Sequence, residues 1–427
     1  MRMRILYVAP AYKPAYRFGG PVHSVAAAAE ELVQRGHRVT VVTTTSNRDE
    51  DLDVPLNQPV DIDGVEVWYF RRDEFLKRWL PSVPYLSRAS GMLYAPQMFA
   101  QLKRLVPDVD LVHTHLPFVY PTYAASRAAY RCRKPLFYHQ RGVFDPNRLR
   151  FRFLKKWLCI IAVERSNMRR ATTLIALTEA EVTSYRALGV ETPCRVIPNG
   201  IRVSEYLQRC SLPRESRWNG IPADKTVVLF LGRLHPIKGA EKLLEAFVRV
   251  GMKFPHAVLV MAGPDEWKSE AKFRESICQA KLTERVLFPG MVSGQDKIEL
   301  LARADLFCLP STGEGFSMAV LEAMASATAV LLSPGCHFPE IELAGAGRIS
   351  PPDPDALAKA LACLLAGPEK LKGMGTRGRE FVARSYSWER VIDCLLDAYS
   401  EGIERHNRRT GGSPTPLDKG QRHLSCA

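Results

Sequence analysis

No run in this chain approaches the roughly 18 to 20 apolar residues that a membrane-spanning helix requires. Its ten cysteines form no C-x-x-C pair and follow no regular spacing. That argues against a zinc ribbon or a disulfide framework and favours reduced thiols in a cytoplasmic protein. The N-terminus, "MRMRILYVAPAYKP", is apolar too briefly for a signal peptide and lacks a small-residue cleavage site; a first β-strand is expected there. No internal repeat is visible. Acid is scarce in one place: residues 127–170 hold 13 basic and 2 acidic side chains, although the first 200 residues hold 29 against 18. That segment accounts for the imbalance of its half, and such a patch attracts an anionic surface or substrate.

At 427 residues the chain is too long for one ordinary core, and two domains are expected. Residues 1–200 alternate compact apolar strands with helical patterns: "RILYVAP", "HRVTVVTTT", "VDLVHTHL", "KPLFYHQR" and "TTLIALT" are the strands. This is the rhythm of βαβ units and a parallel sheet. Residues 201–222 lack a clear period and are expected as a connector. A second series follows over 223–385, with strands "KTVVLFLGRL", "HAVLVMAG", "RVLFPGM", "DLFCLPS" and "AVLLSPG". A terminal helix over 386–406 can cross back to the first domain. The polar, Gly/Pro/Ser-rich tail 407–427 is expected to be disordered. The fold class is α/β, with two facing Rossmann-like doubly wound domains.

"STGEGFSMAVLEAMA" carries the chemistry. From Ser317, residues Met318, Leu321, Glu322 and Ala325 share one helical face, so a carboxylate stands in an apolar seam. Glu314 lies between two glycines, where backbone approaches a ligand closely. The N–H groups of Gly315, Phe316 and Ser317 open a helix and present a positive pole to an anion. Glu322 can accept from two neighbouring hydroxyls, or can simply pair with a nearby cation. In "FLGRLHPIKGAEKLLEAF", Arg233 offers a planar fork for phosphate oxygens and Lys238 a point charge. Solvated strand-end cations are the plainer alternative.

"GEGFSMAVLEAMA" with "GRLHPIKG" and "VIPNG", in this order, resembles the retaining nucleotide-sugar glycosyltransferases of family 4, which have the GT-B architecture. The resemblance spans nearly all of the chain except connector and tail. It implies that Arg233 and Lys238 bind the donor diphosphate, Glu322 the ribose hydroxyls and Glu314 the transferred sugar. It also places Phe288 and Gly290 at the nucleobase and counts Asn199 of the "VIPNG" element among the donor-binding residues. Gly19 and Gly20 match the glycine loop that approaches the phosphates from the first domain. Many members carry a histidine six residues after the proline of "KP"; here that position is Arg141. "QRGVFDP" is similar instead to a subset acting on polysaccharide or lipopolysaccharide precursors, with Arg141 facing the donor sugar or an acceptor phosphate.

His113 is expected to pack, while His115 and His139, the latter on the same face as Arg141, are expected to line the cleft on the acceptor side; simple packing is the alternative for His139. The D-x-D triplets at 51–53, 61–63, 108–110 and 353–355 are expected to be structural, and no metal is expected. "RLRFRFLKKWLCIIAVERSNMRR" interleaves cations with aromatics as an interfacial helix does, so residues 148–170 are expected to meet the anionic inner face of the cytoplasmic membrane; a core helix with a solvated basic face is the alternative. The whole points to a cytoplasmic, peripherally attached, metal-independent glycosyltransferase. It would take a nucleoside-diphosphate-sugar as co-substrate, with no other cofactor, and a lipid-linked or saccharide acceptor. A nucleotide-sugar epimerase, a basic nucleic-acid binder and a catalytically dead scaffold are the rivals. No nucleic-acid recognition motif is present.

Overall fold

The computed structural model describes residues 2–48, 50–73, 93–150, 153–210 and 221–411. The chain divides into two compact units, Met1–Gly200 with Trp388–Ala427, and Ile201–Ser387.

The first unit contains strands β1 (Arg4–Val8), β2 (Arg38–Thr44), β3 (Ser46–Asn47), β4 (Glu50–Asp51), β5 (Pro59–Ile62), β6 (Val65–Phe70), β7 (Leu111–His115), β8 (Leu136–His139), β9 (Thr173–Ala176) and β10 (Cys194–Val196). Eight of them form a sheet in the order β10-β9-β8-β7-β1-β2-β6-β5, and β3 and β4 form a separate ladder. Every pairing in the large sheet is parallel except β5 with β6. Alternation along β1 sends Ile5 and Tyr7 to one face and Leu6 and Val8 to the other. Helices Pro96–Leu105 and Tyr120–Arg131 cover the Leu6 face. Helix Gly20–Gln34 and the long helix Trp388–Thr410 cover the Tyr7 face.

That last helix is part of the first unit's core through Trp388, Val391, Ile392, Leu395, Ala398 and Tyr399. A Cβ at its Gly402 would overlap the Phe137 ring, so the helix lies directly on β8. The helix continues through Asn407 to Thr410, within the stretch expected as tail; residues 412–427 lie outside the described residues. Cys394 on this helix is in a disulfide, whereas Cys132, Cys159, Cys194, Cys278, Cys308, Cys336 and Cys363 are free. The expectation of reduced thiols therefore holds for those seven and not for Cys394.

The second unit contains β11 (Thr226–Leu231), β12 (Ala257–Ala262), β13 (Val286–Gly290), β14 (Leu306–Leu309), β15 (Ala329–Leu332) and β16 (Gly347–Ile349). Their order is β13-β12-β11-β14-β15-β16, all parallel. This is the doubly wound arrangement, whose strand order reverses between β11 and β14. Its central strands are near-continuous apolar runs because helices cover both faces; every residue of β12, β14 and β15 is buried. Helix Ala240–Gly251 shows the matching 3.6-residue pattern, burying Leu243, Leu244, Phe247 and Val250. Residues 201–222 do more than connect: Ser204–Cys210 is helical, and Ile201 and Tyr206 join the second unit's core. Among the described residues, no helix is long and apolar enough to cross a membrane.

Candidate active site

Because strand order reverses between β11 and β14, the loops after these strands leave the sheet side by side at its carboxyl edge. The Ile237 carbonyl stitches them together. It accepts from Thr312 N at 2.8 Å, Ser311 Oγ at 2.8 Å and Thr312 Oγ1 at 3.3 Å. Gly239, at φ 74°, passes so near this loop that a Cβ would overlap the Pro310 carbonyl oxygen. On the far side, Glu314 N donates to Gly335 O at 2.9 Å. Lys238 and Glu314 are thereby fixed opposite one another. Lys238 Nζ donates to both carboxylate oxygens of Glu314, at 2.7 and 2.9 Å, and the Glu314 side chain is only 5% exposed. A buried carboxylate is tolerated there because the ammonium neutralises it.

Ser317 occupies the N-cap of helix Met318–Ala325 and makes no side-chain cap bond, so the first N–H groups of the helix have no such acceptor. Phe316 packs against Phe338 and Tyr386, with ring centroids 5.4 and 5.7 Å away. It thus anchors the short span between Gly315 and the helix. Leu321 and Ala325 are buried as their seam predicts. Glu322, in the same seam, is satisfied by Lys297 Nζ at 2.8 Å and by the Tyr206 hydroxyl. Burial, with Glu322 beside it, raises the pKa of Tyr206 and keeps that hydroxyl a donor. Arg233 lies half-exposed after β11 and donates to Glu266 at 2.6 Å. Phe288 lies on β13 with the Arg274 guanidinium 5.1 Å from its ring centroid, and Gly290 ends that strand at φ 73°. Lys297, Glu266 and Tyr206 were missed from sequence. They lie 25, 33 and more than 100 positions from their partners, and no local pattern marks them.

The first unit gathers a second constellation around Arg141, which follows β8 at φ 52° and is 9% exposed. Its Nη1 donates to Ser24 Oγ at 2.8 Å and to Asn199 Oδ1 at 3.1 Å, and its Nε to His115 Nδ1 at 3.2 Å. Ser24 lies in the first turns of helix Gly20–Gln34, which Gly19 caps at φ 70° and Gly20 begins. Arg141 therefore ties Asn199 of "VIPNG" to the glycine loop. Burial lowers its pKa to about 10, so it stays charged at neutral pH.

The expectation that His115 and His139 line a cleft is corrected: they are 1% and 4% exposed, and His113 is 2% exposed. The three rings lie together because β7 and β8 pair in parallel, with His115 opposite His139. Burial, reinforced by the Arg141 charge, holds all three well below the ordinary histidine range. His113 Nδ1 bonds the Tyr399 hydroxyl at 2.6 Å, which bonds Tyr7 at 3.0 Å. One nitrogen from each ring can come within 4.8 Å of the others, a spacing open to a cation. The chemistry is against that occupant. Arg141 donates to His115 Nδ1, so the neutral ring carries its proton on Nε2 and has no lone pair left to give. A fixed guanidinium beside the cluster would also repel a metal ion.

Glu181, absent from the sequence reading, is 4% exposed and accepts from Leu177 N at 2.8 Å. Burial raises it to about 7. Five of the eight D-x-D acids hold a cation or cap a helix: Asp51 holds Arg72, Asp63 Lys13, Asp110 Arg4 and Asp355 Arg249, while Asp353 caps helix Pro354–Leu365.

The chain is similar to known proteins over most of its length. Residues 213–381 match the family model for glycosyl transferases group 1, and residues 19–200 match the glycosyl transferase 4-like domain. An uncharacterized glycosyltransferase of Methanocaldococcus jannaschii is 26% identical over 417 residues, 95% of this chain and 100% of that one. The phosphatidyl-myo-inositol mannosyltransferase of Mycolicibacterium smegmatis is 32% identical over 207 residues, 48% of this chain and 50% of that protein. Among solved structures, Anabaena HepE in complex with UDP and glucose has a TM-score of 0.70 at 19% identity, covering 94% of this chain and 100% of that one. The two units are thus Rossmann-like domains of the GT-B kind. These matches support a glycosyltransferase of the group 1 type.

Proposed function

We propose that this enzyme transfers a sugar, with retention of anomeric configuration, from a nucleoside-diphosphate-sugar to a hydroxyl of a lipid-linked or polysaccharide precursor. It would work in the cytoplasm, peripherally attached at the anionic inner face of the cytoplasmic membrane. The Lys238–Glu314 fork at the strand-order reversal carries the reading. In such sheets ligands bind beyond the carboxyl ends of the strands at that point, and HepE, of the same fold, has been solved with UDP-glucose. A relative acting on phosphatidyl-myo-inositol supports a lipid-linked acceptor.

In this reading Lys238 and Arg233 neutralise the departing diphosphate, with the N–H groups of residues 315–317 beside them. Glu314 orients the transferred sugar, Glu322 accepts from the ribose hydroxyls, and Phe288 and Gly290 border the nucleobase. Arg141 meets the donor sugar or an acceptor phosphate. No resident metal is invoked, since the cations needed are side chains. The acceptor attacks from the face the leaving group vacates, and a departing phosphate oxygen helps take its proton.

Thermal-shift screening with a panel of nucleoside diphosphates and their sugars identifies the donor. With that donor, Lys238→Ala and Glu322→Ala are expected to abolish transfer while the circular dichroism spectrum is unchanged. Undiminished turnover in either folded variant would refute the site.

A further inference from the structure

The first unit presents an outward-facing apolar stripe beside a carboxylate-free arginine cavity. Helix Phe153–Cys159 buries none of its own residues. Phe153, Leu154, Trp157, Leu158 and Ile161 recur at i, i+1, i+4, i+5 and i+8, a single helical face, and are 52, 76, 41, 68 and 50% exposed. The Phe153 and Trp157 rings stack at 5.9 Å, so the stripe is one continuous surface. Helices normally bury such a face; this one turns it to the outside.

A π-helical turn, Ile160–Glu164, follows and re-aims the chain. It sends Glu164, the sole acid of residues 148–170, inward to Phe118 N at 2.7 Å and the Tyr138 hydroxyl at 2.8 Å. The exposed side chains that remain are basic or apolar. Beyond the turn, Ile161, Arg165, Ser166, Arg169 and Arg170 line an open cavity of about 300 Å³. Among the described residues, no carboxylate pairs with Arg165, Arg169 or Arg170. Arg169 instead holds the Gly189 carbonyl at 3.1 Å, and Arg170 lies 4.4 Å over the Tyr130 ring. The Arg165 Nε is buried with no hydrogen-bond partner, although buried polar groups are ordinarily satisfied.

We propose that this is a membrane-docking site in two parts: the stripe enters the headgroup boundary of an anionic bilayer, and the arginine cavity holds one lipid phosphate. Charge complementarity selects that occupant. Guanidinium forks suit phosphate oxygens, and a phosphate at the edge of an apolar surface is the chemistry of a phospholipid headgroup. The cavity is too small for an acyl chain, which the stripe meets instead. The proposal deepens the peripheral attachment proposed above and names the residues that make it.

The test is flotation of the full chain with vesicles of phosphatidylcholine alone or mixed with phosphatidylglycerol, alongside a UDP thermal shift. Wild type is expected to float with the mixed vesicles only. Leu154→Ser with Leu158→Ser, both strongly exposed and safe for folding, is expected to cut flotation on mixed vesicles more than tenfold. Arg165→Gln with Arg169→Gln is expected to abolish the preference for anionic lipid; Arg170→Gln is the second choice if that pair fails to fold. The thermal shift with UDP is expected to be unchanged throughout. Several results would overturn the proposal: no flotation, equal flotation on neutral vesicles, RNA retention without flotation, or a dimer that the serine pair dissolves. So would a protective shift with glycerol phosphate and no vesicle binding, which assigns the cavity to a soluble phosphate. A missing UDP shift with intact flotation would instead count against the donor reading alone.

Discussion

Acidification should unfold the first unit steeply, and His139→Phe should flatten the response. His113, His115 and His139 are held neutral by burial, with Arg141 charged nearby. In the unfolded chain each recovers a pKa near 6.5. Their folded pKa values are depressed, so their contribution is fully present above pH 6.5 and is lost as pH falls. Each histidine protonated only on unfolding changes stability by about 1.4 kcal/mol per pH unit, so three change it by about 4 kcal/mol per unit well below pH 6.5. Glu181 opposes them. Its folded pKa is raised to about 7 from 4.5, so between those values the native state holds a proton that the unfolded chain lacks. That subtracts about 1.4 kcal/mol per unit and leaves a net near 3, which buried Glu164, also raised, reduces further. From pH 7 to 5.5 the net loss integrates to about 2 kcal/mol, a sizeable part of a domain stability of about 5 to 15 kcal/mol.

His139 is the residue to change because neither of its ring nitrogens has a hydrogen-bond partner, so removing it breaks no bond. Hydrogen exchange over a urea series, read on β7 and β8 peptides so that only the first unit is followed, should give a slope about 1.4 kcal/mol per pH unit shallower for the variant. Identical slopes for variant and wild type between pH 5 and 6.5 would show that His139 is charged in the folded state and would refute the reasoning.

Three further outcomes follow from the second unit. Glu314→Gln removes the carboxylate that occupies Lys238, so the nucleoside diphosphate should bind roughly 3- to 10-fold tighter by calorimetry while turnover collapses; weaker binding would show that Glu314 does not compete for that ammonium. Lys297→Met leaves Glu322 with the Tyr206 hydroxyl alone and should cost about 1 to 3 kcal/mol in urea unfolding, a modest figure because Lys297 is 26% exposed. Gly239→Ala places a Cβ against the Pro310 carbonyl at a left-handed φ and should cost at least about 2 kcal/mol and weaken nucleotide binding; a neutral result would mean the two loops can part cheaply.

The strands were legible because parallel sheets covered on both faces leave unbroken apolar runs, and "VVLFL" and "AVLVMA" became β11 and β12. Glu314, Glu322, Lys238 and Arg233 were legible because glycines and an interrupted apolar seam mark them locally. What answers each of them was not. Glu314 and Lys238 are 76 positions apart, and Glu322 and Lys297 are 25 apart on another helix, so nothing in either segment signals the pairing. His115 failed for a related reason. Its place at the end of β7 was correct, but Tyr7, His139 and Arg141, which enclose it, come from β1, β8 and the loop after β8, far away in the sequence. The basic segment was marked by composition, yet the π turn that hides Glu164 has no sequence signature.

Helix Trp388–Thr410 also bears on how the polypeptide emerges from the ribosome. The second unit is one continuous stretch, Ile201–Ser387, while the first needs Trp388 through Gly402 to close its core. The half encoded first is therefore finished last, its Tyr7 face covered only by helix Gly20–Gln34 until residues 388–402 have been made. A stop codon near position 385 would not trim an appendage; it would leave the N-terminal half without one of its walls.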